Sequence, residues 1–215
     1  MGDLRNMTPD IVVVDYGAGN LRSVAKTLER IGFPAKVSSS PKVVLGAQGV
    51  ILPGVGSSGS AMAALKQQGL IDPLREIASR GTPFFGVCLG LQVLLENSEE
   101  DPGRCLGIVP GKVKLLPPDE KIPHMGWNQV RLMKKHPLFQ NIPSNSYFYF
   151  VHSYYAQPEV SSQVIGETDH SITFCSALAM GNIVATQFHP EKSGRLGQRL
   201  YENFVQLMVL EGARE

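Results

Sequence analysis

Cys88 stands between an apolar run, Phe84-Phe85-Gly86-Val87, and the helix-like Leu89-Gly90-Leu91-Gln92, with Gly86 and Gly90 two residues to either side. The pattern reads as a strand that turns sharply through its last residue into a helix. Such an elbow holds the turning residue in a strained backbone conformation, and the flanking glycines relieve the crowding. A thiol displayed there is a candidate nucleophile. The amide of Leu89 would point into the site as an oxyanion donor, and the positive end of the following helix would favour negative charge at Cys88. Much further along, Val184-Ala185-Thr186-Gln187-Phe188-His189-Pro190-Glu191 offers a base and a group to orient it. Residues two apart in an extended segment project to the same side, and Pro190 keeps the backbone from becoming helical, so Glu191 can orient the imidazole of His189. The order Cys, His, Glu differs from the Ser, Asp, His of hydrolases, but triads are recognised by geometry and not by chain order. Taken singly, a buried cysteine is a small hydrophobe and a His-Pro pair is a turn. Together they meet the requirement for an activated nucleophile that attacks a carbonyl carbon.

The elements that must position these groups alternate strand and helix in the first half. Ile11 to Val14 is a continuous apolar run, as expected of a strand buried on both faces, and a helix follows from about Leu21 to Ile31. Further strands are expected near Ala35 to Ser38, Val50 to Leu52 and Pro83 to Val87. Between the last two lie helical patterns from about Ser60 to Gln68 and from Ile71 to Arg80, the second ending at Gly81, a good C-cap. Crossovers of this length imply parallel strands, whose sites lie at their carboxyl ends, where Gly17, Gly54 and Cys88 fall. The second half has shorter runs and more turns. Strands are expected at Lys112 to Leu116, Tyr147 to Tyr155, Val164 to Thr168, Ile172 to Leu178 and Ile183 to Phe188, and Leu196, Leu200, Phe204 and Leu207 mark one face of a closing helix. With no repeat, linker or low-complexity segment, one α/β domain over residues 1–215 is expected, with about residues 1–10 as an N-terminal extension.

Composition bounds the function. The 215 residues are 43% hydrophobic with a net charge of +1, enough for one well-buried domain and too nearly neutral for a nucleic-acid partner. Cys88, Cys105 and Cys175 are an odd number without metal-ligand or paired spacing, which suits a reducing, cytoplasmic compartment, with Cys105 and Cys175 structural and no metal implied. No apolar run approaches the length of a membrane span, the N-terminus lacks the regions of a signal peptide, and Asn6 breaks the myristoylation pattern.

Two glycine clusters admit two readings each. Gly17-Ala18-Gly19 begins like a dinucleotide fingerprint, but Arg22 occupies the third glycine position, so a tight strand-to-helix turn is favoured and no cofactor is implied. Gly54 and Gly56 flank Val55 after a buried strand, where they allow close approach to a ligand and easy rotation of the peptides between them; they suit a second oxyanion amide or an ordinary loop.

Gly86-Val87-Cys88-Leu89-Gly90-Leu91-Gln92 and Phe188-His189-Pro190-Glu191 resemble the signature of class I glutamine amidotransferases, which hydrolyse glutamine through a cysteine, histidine and glutamate triad. Within that class, five further segments resemble the glutaminase subunits of imidazole glycerol phosphate synthases: Asp15-Tyr16-Gly17-Ala18-Gly19-Asn20-Leu21, Leu52-Pro53-Gly54-Val55-Gly56, His124-Met125-Gly126-Trp127-Asn128, Tyr149-Phe150-Val151-His152-Ser153-Tyr154-Tyr155 and His189-Pro190-Glu191-Lys192-Ser193. One departure is Ser57-Ser58, where the family often has a small residue followed by an aromatic. The resemblance implies a flavodoxin-like, mostly parallel central sheet with helices on both faces and added antiparallel strands in the second half. It also implies Cys88, His189 and Glu191 as the triad, with oxyanion donors at Leu89 and along Gly54, Val55 and Gly56. Gln92, Ser153 and Tyr154 would contact glutamine. Asn20 and Trp127 would lie toward a partner subunit, and Tyr149 and Lys192 would line a gate through which ammonia leaves. His152 would sit near the interface, though a lone histidine in an aromatic strand is also a packed residue. The implied partner is a (βα)8-barrel cyclase, which uses the ammonia to make imidazole glycerol phosphate and aminoimidazole carboxamide ribonucleotide. Free ammonia protonates in water, so such a glutaminase makes sense only when joined to an acceptor site. The alternatives are the glutaminase subunit of another amidotransferase, such as pyridoxal phosphate synthase, and an inactive flavodoxin-like scaffold.

Overall fold

The computed structural model describes residues 9–101 and 103–212; residues 1–8 of the expected N-terminal extension lie outside the described residues. The first half runs β1 (Ile11–Val14), α1 (Leu21–Arg30), β2 (Lys36–Ser38), α2 (Pro41–Leu45), β3 (Gly49–Gly54), α3 (Ser58–Gln67), α4 (Ile71–Ser79), β4 (Phe84–Cys88) and α5 (Leu89–Gln92). The second half runs β5 (Asn97–Ser98), β6 (Gly111–Leu115), β7 (His124–Leu132), β8 (Ser146–His152), β9 (Tyr154–Pro158), β10 (Val164–His170), β11 (Ile172–Met180), β12 (Ile183–Thr186) and α6 (Gly194–Asn203), which continues as a wider helical segment over Phe204–Leu210.

Strands β2-β1-β3-β4-β12 lie side by side and parallel, and β11, β10, β7 and β8 continue the sheet antiparallel. The strand alternation sorts the core onto two faces. Val12, Val14, Val50 and Leu52 pack with Leu65, Leu74 and Ile77 of α3 and α4. Ile11, Val13, Ile51 and Phe85 pack with Val24 and Leu28 of α1 and with Leu200, Tyr201 and Phe204 of the closing helix. Helices therefore cover both faces, as expected for parallel strands buried on each side.

The register of the joint between the halves matters most for function. β12 pairs parallel with β4, Thr186 beside Val87, and antiparallel with β11, Thr186 beside Ala177. The carboxyl ends of β4 and β12 thus emerge together, one at Cys88 and the other at Gln187.

Three expectations are corrected. The run from Tyr147 to Tyr155 is two strands, because the chain breaks at Ser153: β8 pairs with β7, whereas β9 crosses to β6 and β11. The last strand stops at Thr186 and does not reach Phe188. The nine-residue β7, absent from the sequence reading, carries glycine, histidine and asparagine that hide a strand pattern. Among the described residues, no helix is long and apolar enough to cross a membrane.

Candidate active site

Cys88 is the last residue of β4 and has φ 56° and ψ −109°. A positive φ on a residue with a side chain costs on the order of 1–3 kcal/mol and persists only where the surroundings enforce it. Here the enforcement comes from backbone packing. A Cβ at Gly90 would overlap the Leu52 carbonyl oxygen of β3, and one at Gly86 would lie 2.8 Å from the Gly90 carbonyl oxygen and 3.0 Å from Leu94 Cδ1. The two glycines let α5 press against β3 and β4 and so force the turn at Cys88. The helix that follows is a single turn, Leu89–Gln92. A long-helix dipole is therefore absent at Cys88, and local amides must supply any stabilisation of negative charge.

His189 follows β12 and is 2% exposed. Its backbone is tied to β8 by a closed set of bonds. His189 N donates to the Tyr149 carbonyl (2.9 Å), Tyr149 N donates to Ser193 Oγ (3.0 Å), and Ser193 Oγ donates to the His189 carbonyl (2.6 Å). Within that brace the His189 Nδ1 and Glu191 Oε1 are 2.9 Å apart. Burial opposes a charge on the ring, but negative charge at the neighbouring Cys88, together with the Glu191 carboxylate, outweighs burial and pushes His189 up to about 10. Nδ1 is taken by Glu191, which leaves Nε2, buried and without a hydrogen-bond partner, as the nitrogen that can pass a proton to and from the cavity.

Cys88, His189, Leu89, Val55, Gly56, Gln92, Ser153, Tyr154, His152 and Lys192 line one cavity of about 380 Å3. Glu191 is behind His189. Gly54 ends β3 in register with Cys88; a Cβ there would come within 2.5 Å of the Tyr16 hydroxyl and 2.8 Å of Leu89 Cβ. Gly54 thus lets β3 approach Tyr16 and α5 closely, and the chain becomes exposed at Val55 and Gly56. Gly56 has φ +92° with open space around it, a conformation that favours glycine. Ser57, the point of departure noted above, caps α3 by accepting from Ser60 N.

Asn20, Trp127 and Tyr149 stand outside the cavity. Asn20 precedes α1, in a loop whose Gly19 lies beside Pro53 of β3. Trp127 is 56% exposed on β7, set edge-on to Tyr149 at 6.2 Å, and Lys192 Nζ stands 5.6 Å from the Tyr149 ring centre. His152, expected near an interface, is buried. Its Nδ1 donates to the Tyr154 carbonyl at 2.8 Å, so its Nε2 accepts from His124 Nδ1 at 2.9 Å, and His124 Nε2 accepts from Asn128 Nδ2 at 3.1 Å. That chain requires both rings neutral. Burial, with His170 alongside, lowers His124 to about 4, and burial lowers His152 to about 3.

The sequence reading missed two residues of the site. Gln187 Nε2 donates to Cys88 Sγ at 3.8 Å, and Gln187 Oε1 accepts from Gln92 Nε2 at 3.2 Å, which also donates to the Tyr154 carbonyl at 2.8 Å. Glu100 lines the cavity and accepts from Ser58 N at 2.8 Å, bringing a carboxylate to the rim. Cys105 and Cys175 are buried elsewhere, and burial raises them to about 11 and about 12. Among the described residues no group of three or more His, Cys, Asp or Glu could hold a metal ion. A larger groove of about 660 Å3 around His136 and Phe139 is lined by no cysteine, serine or threonine.

A cysteine on a strained elbow, a buried histidine held by a carboxylate and a shared cavity can form and hydrolyse an acyl thioester. Comparison with known proteins narrows the acyl donor. Residues 12–207 match the family described as glutamine amidotransferase class-I. The imidazole glycerol phosphate synthase subunit HisH of Dehalococcoides mccartyi (strain CBDB1) is 46% identical over 200 residues, covering 93% of this chain and 98% of that protein. The subunit of the same name from Moorella thermoacetica is 48% identical, covering 92% and 95%. A solved structure of PurLQS from Thermotoga maritima shares the fold, with a TM-score of 0.74 at 18% identity over 94% of this chain and 99% of that one. This chain belongs to the class-I glutamine amidotransferases and, among them, to the family of the imidazole glycerol phosphate synthase subunit HisH.

Proposed function

We propose that this chain, working as one domain, is the glutaminase subunit of an imidazole glycerol phosphate synthase in histidine biosynthesis, and that it delivers ammonia to a (βα)8-barrel cyclase subunit. The observation that carries the chemistry is the convergence of Cys88, at positive φ, with the His189–Glu191 pair on one cavity. Cys88 Sγ attacks the side-chain amide carbon of glutamine, and the amides of Leu89 and of the Val55–Gly56 segment receive the oxyanion. His189 gives its proton to the leaving nitrogen, ammonia departs and a glutamyl thioester remains. His189 then takes a proton from water as the water attacks, and the thioester opens to glutamate and the thiolate, with Glu191 fixing the ring throughout. Glu100 at the rim suits the ammonium group of the substrate, and Gln92, Ser153 and Tyr154 form the wall beside it.

The partner-facing reading of Asn20, Trp127, Tyr149 and Lys192 is supported by the exposure of Trp127 and Met125 on β7 and by the grouping of Lys192, Tyr149 and Trp127 next to the cavity. The test is glutamate release from glutamine by the chain alone and with a cyclase subunit and its ribonucleotide. Stimulation by the liganded cyclase is expected. Hydrolysis without stimulation would move the chain to another amidotransferase, and loss of neither activity on Cys88→Ala would refute the mechanism.

A further inference from the structure

Glu191 spends one carboxylate oxygen, Oε1, on His189; its second oxygen, Oε2, is buried without a hydrogen-bond partner. The Tyr201 hydroxyl of α6 is also buried and unpartnered. Two orphaned polar atoms in one protein interior each carry a desolvation cost, and a buried carboxylate with a single donor is poorly compensated. They are also close. Burial first, then the nearby charge of Glu191, holds the Tyr201 phenol well above its usual range.

The packing explains the proximity. Gly197 lies one helical turn before Tyr201 on the same face of α6. A Cβ at Gly197 would overlap the Pro190 carbonyl oxygen, and Gly197 N donates to the Ser193 carbonyl at 3.3 Å. The helix therefore rests directly on the turn Pro190–Lys192 that carries Glu191. The Tyr201 ring is held from the sheet side by Phe85, with centroids 5.6 Å apart. Nothing in the hydrolysis derived above uses Tyr201.

We propose that Tyr201 is a positioning residue for the triad, whose hydroxyl donates to Glu191 Oε2 and closes fully when glutamine fills the site. The last torsion of a glutamate side chain is broad, so one bond to His189 does not fix the carboxylate plane. A second donor on the other oxygen does, and it aims Oε1 at His189 Nδ1. Catalytic hydrogen bonds that are loose in the empty enzyme commonly tighten in the substrate complex. This inference rests on the glutaminase reading of the site.

The test compares Tyr201→Phe, which keeps the ring and removes the hydroxyl, with the parent in the full chain assembled with its cyclase subunit. Expected is a fall in kcat of roughly tenfold, with KM within about twofold and no loss of thermal stability, the worth of a hydrogen bond to a charged group. In a Glu191→Ala background the same change should have no further effect on the residual rate. A Tyr201→Phe protein with full kcat overturns the proposal, as does an equal fall in the Glu191→Ala background, which would mean a structural role. A parent without glutaminase activity would instead refute the reading of the site. The hydrogen bond is then still decided by proton NMR. A slowly exchanging Tyr201 hydroxyl resonance that shifts on Glu191→Ala supports it, and one that does not shift overturns it.

Discussion

Gly90→Ala tests whether the elbow is built by packing. A Cβ at this position would overlap the Leu52 carbonyl oxygen, which belongs to the β3 backbone and cannot swing aside as a side chain does. Carbon and oxygen must end at ordinary van der Waals separation, so α5 and β3 have to part by roughly 1 Å or more. Overpacking of this kind costs about 1–3 kcal/mol, which in a chain of this size lowers the melting temperature by roughly 3–10 °C. Activity should suffer more than stability. The same shift moves the Leu89 amide and Cys88 relative to His189, and a displacement of about 1 Å at reacting groups costs on the order of a hundredfold in turnover. Gly46→Ala is the control. Gly46 has φ −82°, and its Cβ would make an ordinary 3.5 Å contact with the Lys42 carbonyl oxygen. There alanine should leave turnover unchanged and stability equal or higher by about 0.4–1 kcal/mol, because it restricts the unfolded chain. Calorimetry and a coupled glutamate assay on the three proteins decide the matter. A Gly90→Ala protein with parental melting and turnover would show that the overlap relaxes freely, and the argument for the strained elbow would fail.

The His189 ring should respond to its two neighbours in a fixed order. Charge on Cys88 is the largest of the influences raising it to about 10, so Cys88→Ser should lower its NMR titration midpoint more than Glu191→Gln does; the reverse order would contradict the proposed pairing. In the parent, the stability contributed by this imidazolium is fully present below the unfolded pKa of about 6.5 and is lost as pH rises through about 10. His152 has the opposite sense. Its folded value of about 3 lies below the unfolded one, so the unfolded chain binds more protons as pH falls, and His124 acts in the same direction. For His152 alone the loss between pH 7 and 5 is about 2 kcal/mol, or roughly 4–8 °C in melting temperature; a flat profile across that interval would refute neutral packing of the pair. Gly56→Ala meets no atom within 4 Å but must hold φ +92°. It should cost only about 1 kcal/mol of stability while lowering turnover by up to roughly a hundredfold, the worth of one oxyanion amide. Parental turnover would remove Val55–Gly56 from the oxyanion site.

The parallel half was legible because its signals are local. Ile11–Val14 and Phe84–Cys88 are unbroken apolar runs buried on both faces, and Gly81 ends α4 with φ +86°. The second half was less so. In β7 only His124 and Val130 are fully buried, and the exposed Met125 and Trp127 alternate with partly covered glycine and asparagine, so hydrophobicity does not track the strand. Nothing local marks Ser153 as a break. The chain leaves β8 there because β9 is claimed by β6, with Leu116 N donating to the Ser153 carbonyl at 2.9 Å. These are decisions of tertiary pairing, which a single-residue pattern does not contain.

The site divides the same way. Cys88, His189 and Glu191 could be found because each carries its geometry with it, in flanking glycines or in a two-residue spacing. Gln187 and Tyr201 could not be found so directly, because their places depend on registers set elsewhere. Gln187 meets Cys88 only because Thr186 pairs with Val87, and Tyr201 nears Glu191 only because Gly197 lets α6 settle on Pro190. One signal for Gln187 was nevertheless present. The two-residue spacing that pairs His189 with Glu191 recurs between Gln187 and His189, although Glu191 sits in the 3-10 turn Pro190–Lys192 and not in the extended, non-helical segment expected from the sequence. An amide at that position, reaching Cys88 Sγ with its nitrogen and Gln92 with its oxygen, ties the nucleophile to the wall of the substrate cavity. The segment from Gln187 to Glu191 therefore supplies three groups at two-residue spacing: one that touches Cys88, one proposed as its base and one bonded to that proposed base.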